Sequence, residues 1–343
     1  MAEIELKGMD REEMENFAAS IGLEAYRGRQ VFRWIYQNGA ESIDEMTDLS
    51  KKIRQGLSRL TSINKLILKN RVESKDGSSK FLFGLNDNLN IESVLIPEKN
   101  RVTLCVSSQA GCAVGCRFCA TGKMGFMRSL DAGEIVDQLL QAQKYSERKI
   151  SNVVFMGMGE PMLNLKSVLK ACNIMNDING PSLAQKKMTI STVGIIRGLK
   201  KFIDNAHRLG LAISLHSADE ETRKKIIPAA ESNSLNDILS LAKLYTEKTR
   251  RRVYFEYLLL GGLTDTINDA KNLVKAIHGI PCKINLIKYN PVGGLPYKEP
   301  RTEDIEKFRD YLYPRTYAVM IRESRGADIR GACGQLASSP VST

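Results

Sequence analysis

Residues 102–119 read Val102-Thr-Leu-Cys105-Val-Ser-Ser-Gln-Ala-Gly-Cys112-Ala-Val-Gly-Cys116-Arg-Phe-Cys119. An apolar, β-branched run at 102–106 has the form of a buried strand. It leads directly into three cysteines spaced Cys-x3-Cys-x2-Cys. Three thiolates on one short loop fall one short of the four ligands of a structural zinc site. They suit three irons of a 4Fe–4S cube, with the fourth iron left free for a substrate or cofactor. Zinc completed by Cys105 is the competing reading, and the strand pattern downstream weighs against it. The chain holds seven cysteines and only three histidines. The odd cysteine count argues against a disulfide framework, and a His-rich metal site is nearly excluded.

Outward from that loop, strand-like runs recur at 153–156, 188–191, 211–215, 253–260, 283–288 and 317–322. Helical patterns lie between them near 131–149, 165–177, 197–208, 235–248, 267–278 and 302–313. Strands alternating with helices predict βαβ units and a parallel sheet, hence an α/β fold. Six or seven units are fewer than the eight of a closed barrel. No strand opens into a Gly-rich dinucleotide fingerprint, so a partial (β/α)6 barrel is expected rather than a doubly wound sheet. Chemistry in barrels gathers at the C-terminal strand ends. Those ends carry the cysteine triplet, then Gly157-Met-Gly159-Glu160-Pro161, Ser191-Thr-Val-Gly194, Ser214-Leu215-His216-Ser217, Tyr289-Asn290-Pro291 and Gly331-Ala-Cys333-Gly334. Together they describe one mouth. A Ser–His hydrolase is excluded, because there is no nucleophile elbow and Ser214 and His216 lie two apart on a strand.

Before the barrel, residues 1–60 read as helices. One opens at Asp10, an amphipathic stretch surrounds Arg29-Gln-Val-Phe-Arg-Trp-Ile-Tyr36, and Ser42-Ile-Asp-Glu45 has the form of a capping box for a third. Residues 66–97 alternate as strands, with Asp76-Gly77 as a hairpin turn. The expected division is a small helical N-terminal accessory domain at 1–65, a short β hairpin extension at 66–98, and the barrel with a catalytic C-terminal segment at 99–343.

The 343 residues carry 43% hydrophobic and 26% charged side chains, an ordinary globular composition. No apolar run is long enough to span a bilayer, and no secretory h-region follows Met1. The expected location is the cytoplasm, without a membrane partner. Net charge is +11. It is uneven: residues 1–50 hold 5 Lys/Arg against 11 Asp/Glu, so the rest is strongly basic. A polyanionic partner such as nucleic acid fits that excess. Arg250-Arg-Arg252, Lys186-Lys187 and Lys224-Lys225 are candidate phosphate contacts, weighed against ordinary solvated faces. Cys172 and Cys282 match no motif and are expected to pack as small apolar side chains.

The motifs together resemble the RlmN/Cfr family of radical S-adenosylmethionine (SAM) RNA methyltransferases. Cys105-Val-Ser-Ser-Gln-Ala-Gly-Cys112, Cys116-Arg-Phe-Cys119-Ala-Thr-Gly, Gly157-Met-Gly-Glu-Pro, Ser214-Leu-His, Tyr289-Asn-Pro and Ala332-Cys333-Gly-Gln-Leu carry the likeness over about 92–337. Arg27-Gly-Arg-Gln-Val-Phe-Arg-Trp extends it to the accessory domain. Pro228-Ala-Ala-Glu-Ser-Asn departs from the family's pattern without touching a motif residue.

The resemblance implies one 4Fe–4S cluster on Cys112, Cys116 and Cys119, and two SAM molecules per turnover. It implies SAM contacts from Gly159, Glu160, Ser191, Ser214, Leu215, His216 and Asn290. Cys333 takes a methyl group, a 5′-deoxyadenosyl radical activates it, and the carbon adds to adenine. Glu92 stands at the position of the base, and Cys105 releases the product by forming a disulfide with Cys333. Implied substrates are an adenosine of 23S rRNA at the peptidyl-transferase centre and the adenosine beside the tRNA anticodon, methylated at C2. Methylation at C8, as in the Cfr branch, and a catalytically silent metal- and RNA-binding module remain as alternatives. An electron donor such as flavodoxin or ferredoxin is implied, and a monomer is expected.

Overall fold

The computed structural model describes residues 3–205 and 208–337. Strand β1 (Ile4–Glu5) is followed by helices α1 (Arg11–Ser20), α2 (Ala25–Tyr36) and α3 (Lys51–Ser58) and by β2 (Thr61–Ser62), which pairs parallel with β1. Asp10 and Glu13 cap α1 reciprocally. Helix α2 turns Val31, Phe32, Ile35 and Tyr36 inward. It crosses α1 at Gly28, where a Cβ would fall 2.2 Å from the Met14 carbonyl oxygen. The capping box expected at Ser42 does not start an α-helix. Ser42 donates to the Glu45 carboxylate (2.8 Å) rather than receiving a backbone N–H, and only a 3-10 turn forms at Ile43–Glu45. The third helix begins instead behind Ser50, whose hydroxyl accepts from Ile53 N–H.

Strands β3 (Ile67–Glu73), β4 (Ser79–Gly84) and β5 (Asn90–Glu98) form an antiparallel meander, with Asp76-Gly77 in the β3–β4 turn. Strand β6 (Arg101–Cys105) pairs antiparallel with β5 and parallel with β9 (Asn152–Phe155), so the extension and the barrel share one sheet. Between β6 and β9 lie β7 (Gln109–Gly111), α4 (Ala120–Met124), β8 (Phe126–Ser129) and α5 (Ala132–Gln143). The hairpin β7–β8, too short to show a period, was not expected from the sequence. Then follow α6 (Leu165–Asn176), β10 (Met188–Thr192), α7 (Ile196–Asp204), β11 (Gly210–Ser214), α8 (Glu220–Ile226), α9 (Leu235–Thr249), β12 (Val253–Leu259), α10 (Ile267–Ala276), β13 (Cys282–Lys288), α11 (Thr302–Leu312) and β14 (Val319–Arg322).

The main sheet has ten strands in the order β14-β13-β12-β11-β10-β9-β6-β5-β4-β3. The seven from β6 to β14 are parallel, and the two edges, β14 and β3, do not pair, so the barrel is partial. Both faces of its central strands are covered. Ile190, Leu211, Ile213, Phe255 and Ile284 are fully buried on one face, and Ala212, Glu256 and Leu258 are buried on the other, which is the barrel interior. Cys172 and Cys282 are buried in this core. No helix among the described residues is long and apolar enough to cross a membrane.

One buried polar knot ties the N-terminal helices to the barrel. Asp137 on α5 accepts from Lys7 Nζ (2.8 Å) and from Leu66 N–H (2.6 Å), and both charged side chains are nearly inaccessible. Removing one member strands the other charge in the interior. Asp137→Ala is therefore expected to lower the unfolding free energy by about 3 kcal/mol, read from urea denaturation. The paired apolar replacement Lys7→Met/Asp137→Leu recovers most of that loss.

Candidate active site

Six of the seven parallel strands, β9 to β14, deliver their C-terminal ends to one cavity, and the loop after β6 brings the cysteines to it. Its empty space, solvent mouth included, is about 1030 Å³. Cys112, Cys116 and Cys119 line it, together with Gly159, Glu160, Ser191, Ser214, His216 and Cys333. Leu215 is buried in the core behind the wall, and Asn290 reaches from there toward the Cys333 carbonyl oxygen (3.5 Å). Cys105, at the end of β6, and Glu92, on β5, do not line the cavity.

The cysteine loop is stapled from several directions. Cys112 N–H donates to Gly125 O (2.8 Å), Arg117 N–H to Ile226 O (2.9 Å) and Ala120 N–H to Gly334 O (2.7 Å). Burial pushes the Cys112 thiol up to about 12 and the Cys116 thiol well above its usual value, and the neighbouring thiols and Glu160 push the same way. Such thiols ionise when a metal binds them. Among the described residues no group of three or more His, Cys, Asp or Glu side chains is set close enough to hold a metal ion. The three thiols do line one cavity, and thiolate sulfur is the donor that an iron–sulfur cluster takes.

Beside them, Gly159 adopts φ +95° and packs so closely that a Cβ would meet Gln109 Cβ at 2.5 Å. Glycine is the residue for that conformation and that approach. It lets Glu160 N–H donate to Gln109 Oε1 (3.0 Å). The Glu160 carboxylate accepts from Met162 N–H (3.0 Å) and Val193 N–H (2.9 Å). Burial nevertheless lifts it to about 7, so a cationic group arriving in the cavity would find an acid ready to ionise beside it. Ser191 Oγ and Ser214 Oγ lie 3.4 Å apart. His216, at φ +58°, accepts from Leu258 N–H through Nδ1 (3.1 Å), which assigns its proton to Nε2. Burial, with Arg223 nearby, holds the imidazole down at about 3. It is therefore a neutral donor at physiological pH. An acid, a neutral imidazole donor and two hydroxyls suit a ligand with an ammonium, a ribose and a base edge, as SAM has.

The C-terminal segment closes this cavity. It leaves β14, carries Cys333 over the mouth and is pinned on both sides. Asp76 accepts from Gly326 N–H (2.9 Å), Ser74 donates to Asp328 (2.6 Å), and Thr121 donates to Leu336 O (2.6 Å). Cys333 is exposed and Cys105 is buried, and both thiols are free. Burial pushes the Cys105 thiol up to about 12, Cys333 adds to this, and Arg322 opposes it. Cys333 is likewise raised by its crowded surroundings and pulled back by Arg322. The two thiols therefore feel each other and share one guanidinium, which pairs with the buried Glu256 (3.4 Å).

Sequence reading missed Arg322, Glu256 and Arg223. Arg223 is fully buried and donates to the carbonyl oxygens of Val193, Leu215 and Asn233, tying the ends of β10 and β11 together. It also missed Lys80. This buried ammonium lies 3.0 Å from Glu92 Oε1 and 3.3 Å from the Arg330 carbonyl oxygen, while Glu92 Oε2 accepts from Ala337 N–H (2.8 Å). Lys80, Glu256 and Arg322 each carry a charge inside or beside an apolar run, the one signal that sequence offered; Arg223 sits in the charged stretch Glu220-Glu-Thr-Arg-Lys-Lys225, which hides it. Of the basic runs, Arg250–Arg252 and Lys186–Lys187 precede β12 and β10, at the strand ends away from the cavity. Lys224–Lys225, on α8, follows β11 on the cavity side.

Comparison with known proteins agrees with this arrangement. Residues 4–63 match the family described as the ribosomal RNA large subunit methyltransferase N-terminal domain, and residues 106–277 match the radical SAM superfamily. A dual-specificity RNA methyltransferase RlmN of Geobacter sulfurreducens is 41% identical over 97% of this chain and 92% of its own. A probable one of Prochlorococcus marinus is 44% identical over 96% and 94%. The crystal structure of a radical SAM methyltransferase from Sphaerobacter thermophilus superposes with a TM-score of 0.94 at 35% identity, covering 98% of this chain and 100% of that one. The chain belongs to the RlmN family of radical SAM RNA methyltransferases.

Proposed function

We propose that this enzyme methylates C2 of one adenosine in 23S rRNA, at the peptidyl-transferase centre, and C2 of the adenosine beside the tRNA anticodon. The observation that carries the reading is the sharing of one cavity by Cys333 and the three loop thiols, with Cys105 electrostatically coupled behind it. A plain binding module has no use for that pair. Cys112, Cys116 and Cys119 hold one 4Fe–4S cluster, and Gly159, Glu160, Ser191, Ser214, His216, Leu215 and Asn290 form the SAM site. When bound, the cluster and two SAM molecules per turnover supply the methyl group and an electron-triggered radical that activates it.

The chain's own residues do the rest. Cys333 accepts the methyl group on Sγ and presents it to the adenine. Glu92 removes the proton from the ring carbon. The unpaired electron left on the adenine adduct leaves through the cluster. Cys105, as thiolate, then attacks Cys333 Sγ; the Sγ–carbon bond breaks, its electron pair passes to the adenine-bound carbon, which takes up a proton to become the methyl group, and the Cys105–Cys333 disulfide left behind is reopened by an external reductant. Arg322, within electrostatic reach of both sulfurs, offsets the negative charge of whichever one is ionised. Flavodoxin or ferredoxin is the electron donor, and the enzyme works as a cytoplasmic monomer. The 1–65 unit serves RNA binding, the 66–98 extension links it to the barrel and contributes Glu92, and the 99–343 barrel carries the remaining chemistry.

Mass spectrometry of rRNA and tRNA from a host lacking this protein tests the assignment. Loss of 2-methyladenosine is expected, whereas loss of 8-methyladenosine would move the enzyme to the Cfr branch. Protein purified without oxygen is expected to be brown and to hold about four irons and four sulfides per chain. Alanine at Cys112, Cys116 or Cys119 should remove both the colour and the iron, and stoichiometric zinc in an active preparation would defeat the assignment. For the thiols, Cys333→Ala should abolish methylation without trapping RNA. Cys105→Ala should still form the carbon–carbon bond and then stall, giving a ribonuclease-sensitive, shifted protein band. Normal turnover without that band would remove Cys105 from the release step.

A further inference from the structure

Strands β4 and β5 pair so that Leu82 stands opposite Glu92 and Lys80 opposite Val94. Alternation places all four side chains on one face, with Lys80 and Glu92 as diagonal neighbours. The other face, with Phe81, Phe83 and Ile91, is fully buried. Every residue of β4 is buried, Lys80 included at 5% exposure. A lysine there is costly to desolvate unless its charge is matched. It is matched twice, by Glu92 Oε1 (3.0 Å) and by the carbonyl oxygen of Arg330 (3.3 Å). Arg330 lies three residues before Cys333 and adopts φ +52°, an unusual conformation for a side chain of its size. On the same carboxylate, Oε2 meets the chain beyond Cys333 at Ala337 N–H. One ammonium therefore touches both the carboxylate and the turn that leads into the methyl-carrying cysteine.

We propose that Lys80 is a positioning residue for methyl transfer: its ammonium orients the Glu92 carboxylate and sets the Cys333 turn against it. The proposal rests on the reading of Glu92 as the base. With Oε1 held by Lys80, the carboxylate has its orientation fixed and Oε2 on the side of the C-terminal segment. A second lone pair on Oε2 can take the ring proton while the C–H electron pair stays in the adenine. Lys80 itself neither gains nor loses a proton. Without the ammonium, a carboxylate this deeply buried loses its matching charge, and the turn at Arg330 loses its anchor.

The test uses full-length, cluster-loaded enzyme expressed in a host lacking the activity and purified with its bound RNA. Three quantities are read: the methyl mass on Cys333, the ribonuclease-sensitive covalent band, and 2-methyladenosine in the RNA. Glu92→Gln should keep the methyl on Cys333 and accumulate the band. Lys80→Met should do the same, with product lowered by about tenfold or more. Lys80→Arg, which keeps a cation, should restore most of the product. Lys80→Met/Glu92→Gln should be no worse than Glu92→Gln alone, because the two act through one group. Full turnover by Lys80→Met beside a stalled Glu92→Gln would overturn the role of Lys80 and leave Glu92 as base. Full turnover by Glu92→Gln would overturn the base itself. Loss of the methyl on Cys333 in Lys80→Met would reduce Lys80 to support of the fold. If Lys80→Met does not fold, Lys80→Gln takes its place in each comparison, with the same outcomes deciding.

Discussion

The seven parallel strands stop short of a closed ring, with β14 left as an edge of the sheet, and the rest of the molecule is arranged around the gap this leaves. The open side gives a large substrate a way to the strand ends. It also leaves those ends wet unless something else covers them. The antiparallel meander β5-β4-β3 prolongs the sheet on one side. The C-terminal segment crosses from the opposite edge to meet that meander through Asp76, Ser74, Lys80 and Glu92. What looks in the sequence like an appendage, residues 66–98, is the wall on which the last segment docks.

The second constraint is charge. Burial holds Cys112, Cys116 and Glu160 toward their neutral forms, so any of them that ionises in this cavity calls for a positive charge close by. The fold answers with cations that carry no motif of their own. Arg223 lies behind Cys116 and is held by carbonyl oxygens rather than by a contacting carboxylate. Arg322 lies within electrostatic reach of the Cys105 and Cys333 thiols, and Lys80 pairs with Glu92. Buried cations of this kind cost desolvation energy, and they stand close to groups that can ionise.

Much of this was legible in the sequence. The strands at 153–156, 211–215 and 253–260 emerge within a residue of those limits, because continuous apolar runs between helical patterns have few other ways to fold. Residues at strand ends were readable because Cys, Gly-x-Gly-Glu and Ser-x-His are unusual in loops. The buried charges were not. Lys80 sits in Ser-Lys-Phe-Leu-Phe-Gly, where a strand exposed on one face would place lysine toward water, and only the docked segment makes that face an interior. Ser42 misled for the opposite reason. Its box residues are present, but Ser42 spends its hydroxyl on Glu45, and the turn that follows is too short to become a helix.

The segment that roofs the cavity follows every strand of the barrel in chain order. During synthesis the cysteine loop and the strand ends around it emerge and can fold while Cys333 is still inside the ribosome, since chains generally fold from the N-terminal side. The cysteine loop is therefore open to solvent before its roof exists, and the mouth narrows only when Gly334 and Leu336 dock on Ala120 and Thr121. Chain order thus supplies an assembly sequence: wall first, cysteine loop and strand ends next, Cys333 and its roof last.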